Sequence, residues 1–260
     1  MESPVSALIV GLLQGLLEWL PISSQGNLVI FMISFLGLEP EYALSLSVYL
    51  HLGTGLATLV YFREEIFGVL RRDSANNRLL FRFLVIATLT TGIVGLPLFL
   101  IARGTSLVGE ALLTLTGAAL IVTGLVQRGA RGERPRTTEP LETKDGIILG
   151  VVQGLSALPG LSRSGLTTSV MLFRGYQGVE AFRISFIISV PAVFAAAMGL
   201  TVVEGAPPLG PGVLLALVAS FLSAYLTIDV LLKLARRVRF WSLCIALGLL
   251  ALLPQLQFFL

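Results

Sequence analysis

The sequence predicts an all-α integral membrane protein: six transmembrane helices and two re-entrant helical hairpins, arranged as an inverted-topology repeat. Three observations carry that expectation. Of 260 residues, 55% are hydrophobic and 13% charged, with a mean hydropathy of +0.90; a soluble domain carries roughly a quarter charged residues. Six apolar runs reach about 20 residues, the length that crosses a hydrocarbon core. Two polar, helix-breaking stretches, "LPISSQGN" from Leu20 and "LPGLSRSG" from Leu158, interrupt apolar sequence at corresponding places in two halves of the chain.

Taken in order, residues 4–37 read as the first hairpin, two short helices joined by the Pro21–Asn27 tip. Spans follow near 41–62, 79–101 and 107–127, completing a first repeat over 1–127. Residues 128–145, rich in charge and holding Pro135 and Pro140, read as a polar cytoplasmic linker. The second repeat, 146–260, opens with a hairpin over 146–175 and continues with spans near 183–203, 211–232 and 240–260. Irregular backbone at membrane depth is tolerated only where protein or a water-filled cavity surrounds it, so each tip is expected to face a cavity.

Basic residues fix the expected orientation. Arg63, Arg71, Arg72, Arg78 and Arg82 fall in one predicted loop, and Arg128, Arg131, Arg134, Arg136 and Lys144 in another. Arg174 and Arg183 mark a third loop, and Lys233, Arg236, Arg237 and Arg239 a fourth. Short basic connections between apolar runs belong on the cytoplasmic side. Both termini, the acidic Leu38–Glu41 segment and the Glu204–Pro211 loop then lie outside. Each hairpin is followed by three spans, an odd number, so the second half is inverted relative to the first.

Composition also excludes several functions. The net charge of +3 is spread over these loops, which argues against nucleic-acid binding. Cys244 is the only cysteine, so neither an intrachain disulfide nor a multi-cysteine metal site is available. His51 is the only histidine, which excludes mechanisms needing two. Glu2 stands where a cleavable signal would carry basic residues.

The halves resemble each other at the tips. "GLLQGLLEWLPISSQG" from Gly11 aligns without gaps with "GVVQGLSALPGLSRSG" from Gly150, pairing Gln14 with Gln153, Gly15 with Gly154, Ser23 with Ser162 and Gly26 with Gly165. The first tip brings Gln14, Glu18, Ser23, Ser24 and Asn27. The second brings Gly160, Ser162, Arg163, Ser164, Gly165, Thr167 and Thr168. Glu18 and Arg163 are the only charges placed near mid-membrane, where each costs roughly 2.5–3.5 kcal/mol to insert. One role for them is simply to pair and fasten the repeats. The other is chemical: a glycine-flanked helix start with arginine and hydroxyls forms a cradle for phosphate, and the opposed carboxylate and serine are groups for attack on phosphorus. A phosphate site within the membrane implies a substrate with a lipid tail.

These residues resemble the two signatures of the undecaprenyl-diphosphate phosphatases, also called the bacitracin-resistance family: E/Q-G-x-x-E-[FW]-L-P-[VI]-S-S-x-G-H and P-G-x-S-R-S-G-x-T. The resemblance implies hydrolysis of a polyprenyl diphosphate to its monophosphate on the outer side of the plasma membrane, recycling a lipid carrier for envelope glycan synthesis. It implies Ser24 as nucleophile, Glu18 as the second motif glutamate and Arg163 as the phosphate-binding arginine. It also implies a divalent cation, Mg²⁺ or Ca²⁺, bridging substrate and Glu18. Gln14 stands where many bacterial members have glutamate, and Asn27 where the motif has histidine; Gln14 and the "EWLP" form resemble archaeal members.

Other readings accompany these. A polyprenyl-phosphate transporter would use the same midplane anion site. The partners expected are the lipid substrate and membrane lipids, with a homodimer left open. Ser24 could serve only as a helix cap, like Ser23. His51 could stand in for the missing histidine, although a structural hydrogen bond is the simpler role. Asp229 and Lys233 are spaced for a local ion pair, and Trp19 reads as packing.

Overall fold

The computed structural model describes residues 3–20, 23–103, 141–158, 161–205 and 209–235, with isolated positions between 114 and 129 and between 241 and 252. The continuously described residues form nine helices: α1 (Pro4–Leu17), α2 (Ser24–Leu36), α3 (Pro40–Tyr61), α4 (Arg63–Arg71), α5 (Ala75–Arg103), α6 (Thr143–Leu155), α7 (Arg163–Phe173), α8 (Gly178–Glu204) and α9 (Pro211–Ala235).

Four of these, α3, α5, α8 and α9, are long and apolar enough to cross a membrane, and they coincide with four of the six expected spans. The other two expected spans, 107–127 and 240–260, lie outside the continuously described residues. Described positions there are helical and approach each other: a Cβ on Gly117 would lie 2.9 Å from the Gly248 carbonyl oxygen.

Helix starts follow local capping. Pro4 opens α1 behind Ser3, and Pro40 opens α3. Ser23 caps α2 from a left-handed backbone (φ 54°), its Oγ accepting from the Gly26 N–H at 3.4 Å. Ser162 caps α7 from extended backbone (φ −74°), its Oγ accepting from the Gly165 N–H at 3.2 Å. Both pairs are those aligned between the halves. Glu142 and Asp145 form a capping box, so α6 begins at Thr143, inside the stretch expected to be linker.

The first basic loop also needs correction. Arg63 and Arg71 bound a short helix, α4, and Arg78 and Arg82 lie within α5, which starts early because Ser74 Oγ caps the Asn77 N–H at 3.1 Å. Arg183 likewise lies inside α8, bonded to Glu180 and to Glu65 of α4. Long basic side chains carry charge off a helix end without breaking it.

The short helices before the two tips pack on long apolar helices of the opposite half. Helix α1 lies along α9, and α6 along α5. Glycine permits both approaches: a Cβ on Gly15 would sit 2.5 Å from the Ala224 nitrogen, and one on Gly150 2.5 Å from the Ala87 oxygen. Ala7, Val10, Leu28, Met32, Leu46, Leu50 and Ala216 fill one core region. Trp19 fills another, its ring centroid 4.6 Å from that of Phe186 and its indole N–H donating to Ala224 O at 3.2 Å. The packing role read for Trp19 is what it has. The outer flank of α5 exposes Leu89, Ile93 and Ile101, an apolar face suited to lipid.

Candidate active site

Capping fixes where the two tips point. Ser23 and Ser162 use their hydroxyls to hold the first turns of α2 and α7, which leaves the first residues of those helices, Ser24 and Arg163, free to face each other across Glu18. Glu18 directly follows α1 and is 2% exposed at its side chain. Its Oε1 accepts from Arg163 Nη2. Its Oε2 accepts from Ser24 Oγ at 2.8 Å and from Gln14 Nε2 at 2.8 Å, with His51 Nε2 at 3.1 Å. One buried carboxylate thus gathers α1, α2, α3 and α7.

The neighbours are fixed in turn. Arg163 Nη1 donates to the Ser185 carbonyl of α8 at 3.4 Å. Thr167 Oγ1 donates back to Arg163 O at 2.8 Å and lies 2.6 Å from Ser185 Oγ. Ser164 Oγ donates to Leu20 O at 3.0 Å, tying the second tip to the first. His51 Nδ1 is 2.6 Å from Ser47 O, one turn earlier on α3.

Glu18, Ser23, Ser24, His51, Ser162, Arg163 and Ser164 line one end of a cavity of about 530 Å³. Much of the remaining lining is apolar or small, including Leu96, Phe99 and Leu100 from α5, and Ala192, Ala196 and Gly199 from α8. The lining thus joins a cluster of charged and hydroxyl groups to a larger apolar surface.

The predicted site residues divide into three sets. Glu18, Ser23, Ser24, Ser162, Arg163 and Ser164 come together on the cavity. Gln14, Gly165, Thr167 and Thr168 lie behind it, buried, where Gln14, Gly165 and Thr167 brace the tips. Asn27 is exposed and does not line the cavity, because its amide is held by the Ser23 carbonyl at 3.0 Å, one turn back along α2. Gly160 and Pro159 lie outside the described residues. Ser24 is not the cap; Ser23 is. The Asp229–Lys233 pair forms, at 2.6 Å.

Sequence reasoning missed Thr88, Thr91 and Gln153, which line the cavity from α5 and α6. Gln153 Nε2 donates to Thr91 Oγ1 at 3.1 Å. Gln153 had a signal, its alignment with Gln14. The hydroxyls of "ATLTTG" within an apolar span were a second signal.

Residues 7–251 match the family described as bacitracin resistance protein BacA. Full-length relatives agree. A protein named undecaprenyl-diphosphatase from Methanothrix thermoacetophila is 44% identical over 261 residues, spanning 97% of this chain and 99% of its own. Proteins of the same name are 38% identical in Haloarcula marismortui (95% and 96% covered) and 39% identical in Methanococcoides burtonii (98% and 99%).

Proposed function

The chain belongs to the bacitracin resistance protein BacA family, and from that premise we propose that it hydrolyses undecaprenyl-type polyprenyl diphosphate to the monophosphate and inorganic phosphate. Its relatives carry the name of that activity over nearly their whole length. One observation carries the assignment of residues: a serine hydroxyl and a guanidinium converge on the same buried carboxylate at the charged end of an apolar cavity.

Ser24 Oγ is the nucleophile toward the terminal phosphorus, and Glu18 Oε2, at 2.8 Å, is placed to receive its proton. Arg163 binds the phosphoryl oxygens and stabilises the charge that develops on them, a role for which its planar fork is suited. Ser162 and Ser164 add hydroxyls on the same wall. Gln14 and Thr167 hold Glu18 and Arg163 in place. The apolar lining from α5 and α8 receives the prenyl chain.

A bound Mg²⁺ or Ca²⁺ does not fit the residues around Glu18. Both carboxylate oxygens already face donors, one of them the Arg163 cation. Among the described residues no group of three or more His, Cys, Asp and Glu side chains could hold a metal ion. No step of the mechanism is assigned to a protein-bound cation.

We read the architecture as two inverted repeats whose hairpins α1–α2 and α6–α7 enter the plasma membrane without crossing it, a reading that the α1–α9 and α5–α6 packing and the paired capping serines support. On the charge-derived orientation the cavity opens to the outer side, with both termini outside. Phosphate release from C15 to C55 prenyl diphosphates by purified protein, with and without divalent cations, tests the reading. Release by wild type and none by Ser24→Ala supports it. Binding of polyprenyl phosphate without any release would replace it with transport.

A further inference from the structure

His51 makes two contacts, and together they fix its protonation. Nδ1 is 2.6 Å from Ser47 O. A carbonyl oxygen only accepts, so Nδ1 carries a hydrogen. Nε2 is 3.1 Å from Glu18 Oε2. A neutral ring protonated at Nδ1 offers a lone pair at Nε2, and a carboxylate offers another. Two lone pairs repel at that distance. The contact is attractive only with a proton between them.

We infer that His51 and Glu18 hold one proton in common, and that His51 acts through Glu18 as the proton partner of the reaction. The inference rests on the reading of Ser24 as nucleophile. Ser24 loses its proton to Glu18 Oε2 as the Oγ–P bond forms. The bond from the terminal phosphorus to the bridging oxygen breaks, and its electron pair leaves on that oxygen. The Glu18–His51 pair then holds two protons and returns one to the departing polyprenyl phosphate. In the second half, water adds to the phosphoserine phosphorus and its proton passes to the pair. The Oγ–P bond breaks, and Ser24 Oγ takes the proton back as inorganic phosphate leaves.

The surroundings suit that role. The charged groups facing the ring are Glu18 from α1 and Arg163 from α7. Helix α2 brings the Ser24 hydroxyl to the same oxygen. Against α3, helix α8 presents Val193 beside Gly55, and α9 presents Ser220, whose hydroxyl donates to Leu50 O at 3.0 Å. Neither titrates. Asn27, exposed and tied to the Ser23 carbonyl, does not line the cavity.

The test is the pH dependence of kcat and KM for farnesyl diphosphate, measured on purified wild type and His51→Gln. Glutamine can still donate one hydrogen bond toward Glu18 but cannot carry the shared proton. The expected result is a fall in kcat of about 100-fold or more, with KM changed only a few-fold. Wild-type kcat should fall as pH rises and the pair loses its proton, and the variant should lack that limb. A variant with near-normal kcat and an unchanged profile overturns the inference and leaves the Ser24 reading standing. Should the variant fail to fold, the wild-type profile decides alone: a kcat indifferent to pH from about 5 to 9, the range in which histidine titrates, overturns it. No release by wild type removes the parent reading, and this one with it.

Discussion

Ser24 and Arg163 occupy the same position in the two halves, and both bind Glu18. Each is the first residue of its helix and each follows a capping serine, Ser23 or Ser162. Ser24 reaches Oε2 and Arg163 reaches Oε1. The same aligned position thus holds a hydroxyl on one side and a guanidinium on the other. Neither half can build the site alone, because the carboxylate between them is present only in the first. At the place aligned with Glu18, the second half has Ala157.

The two serines of the first tip are separable. Ser24→Ala is expected to lower phosphate release by a thousandfold or more, on the scale of losing a nucleophile and its proton transfer. Ser23→Gly loses the cap to the Gly26 N–H but suits the left-handed backbone at φ 54°. It should stay within about tenfold of wild type, since glycine replaces a cap at a cost of only a few tenths of a kcal/mol. Steady-state phosphate release and thermal melting of both variants check this; equal mild losses would remove Ser24 as nucleophile.

Arg163 carries both chemistry and packing, and a double-mutant cycle divides them. Arg163→Ala removes the phosphate ligand and takes the guanidinium from a carboxylate that is 2% exposed. Breaking a buried pair from one side costs about 3–5 kcal/mol. Turnover should vanish and the melting temperature should drop. Adding Glu18→Gln to that variant removes the carboxylate charge, so melting should recover while turnover does not. If the double variant is no more stable than Arg163→Ala, the pair does not fasten the tips.

The tips were legible from sequence because capping and helix breaking leave strong local marks. Ser23 and Ser162 align without gaps between the two halves, and each accepts the same bond from a glycine N–H. What a motif position cannot tell is which way a side chain turns. Asn27 sits inside the first signature, yet its amide is captured by a backbone carbonyl and leaves the cavity. His51 comes from a separate span, and its approach to Glu18 depends on how α3 packs against α1, which is a tertiary matter. The helix α4 was hidden by its charge, since arginines at both ends of an amphipathic turn read like a loop.

The apolar lining predicts a chain-length effect. Gly199 lines the cavity, and a Cβ there would meet no atom within 4 Å, so a larger side chain at this place is expected to narrow the space left for the chain. Gly199→Leu should leave C15 diphosphate hydrolysis nearly intact and lower kcat/KM for the C55 diphosphate by about tenfold, the scale of one or two lost methylene contacts. Measuring both substrates on the same preparation gives the ratio. A variant that slows both equally would place the chain elsewhere.

The last prediction concerns the cation. Ca²⁺ takes six to eight oxygen ligands and Mg²⁺ requires near-octahedral oxygen geometry. At Glu18 two oxygens are available, and they are occupied by Arg163, Ser24, Gln14 and His51. Turning the Gln14 amide to offer its oxygen would set that oxygen against the carboxylate in place of the present hydrogen bond. A cation entering here must displace a guanidinium and lie at contact distance from the His51 ring. Substrate-free protein should therefore bind no stoichiometric Ca²⁺ or Mg²⁺ at this place in equilibrium dialysis, and Glu18→Gln should leave whatever weak binding exists unchanged. Any cation dependence of turnover should then appear only with diphosphate present, whose own oxygens can chelate the ion. One equivalent bound without substrate, and lost in Glu18→Gln, would restore Glu18 as a metal ligand and overturn the proton-sharing inference for His51 along with it.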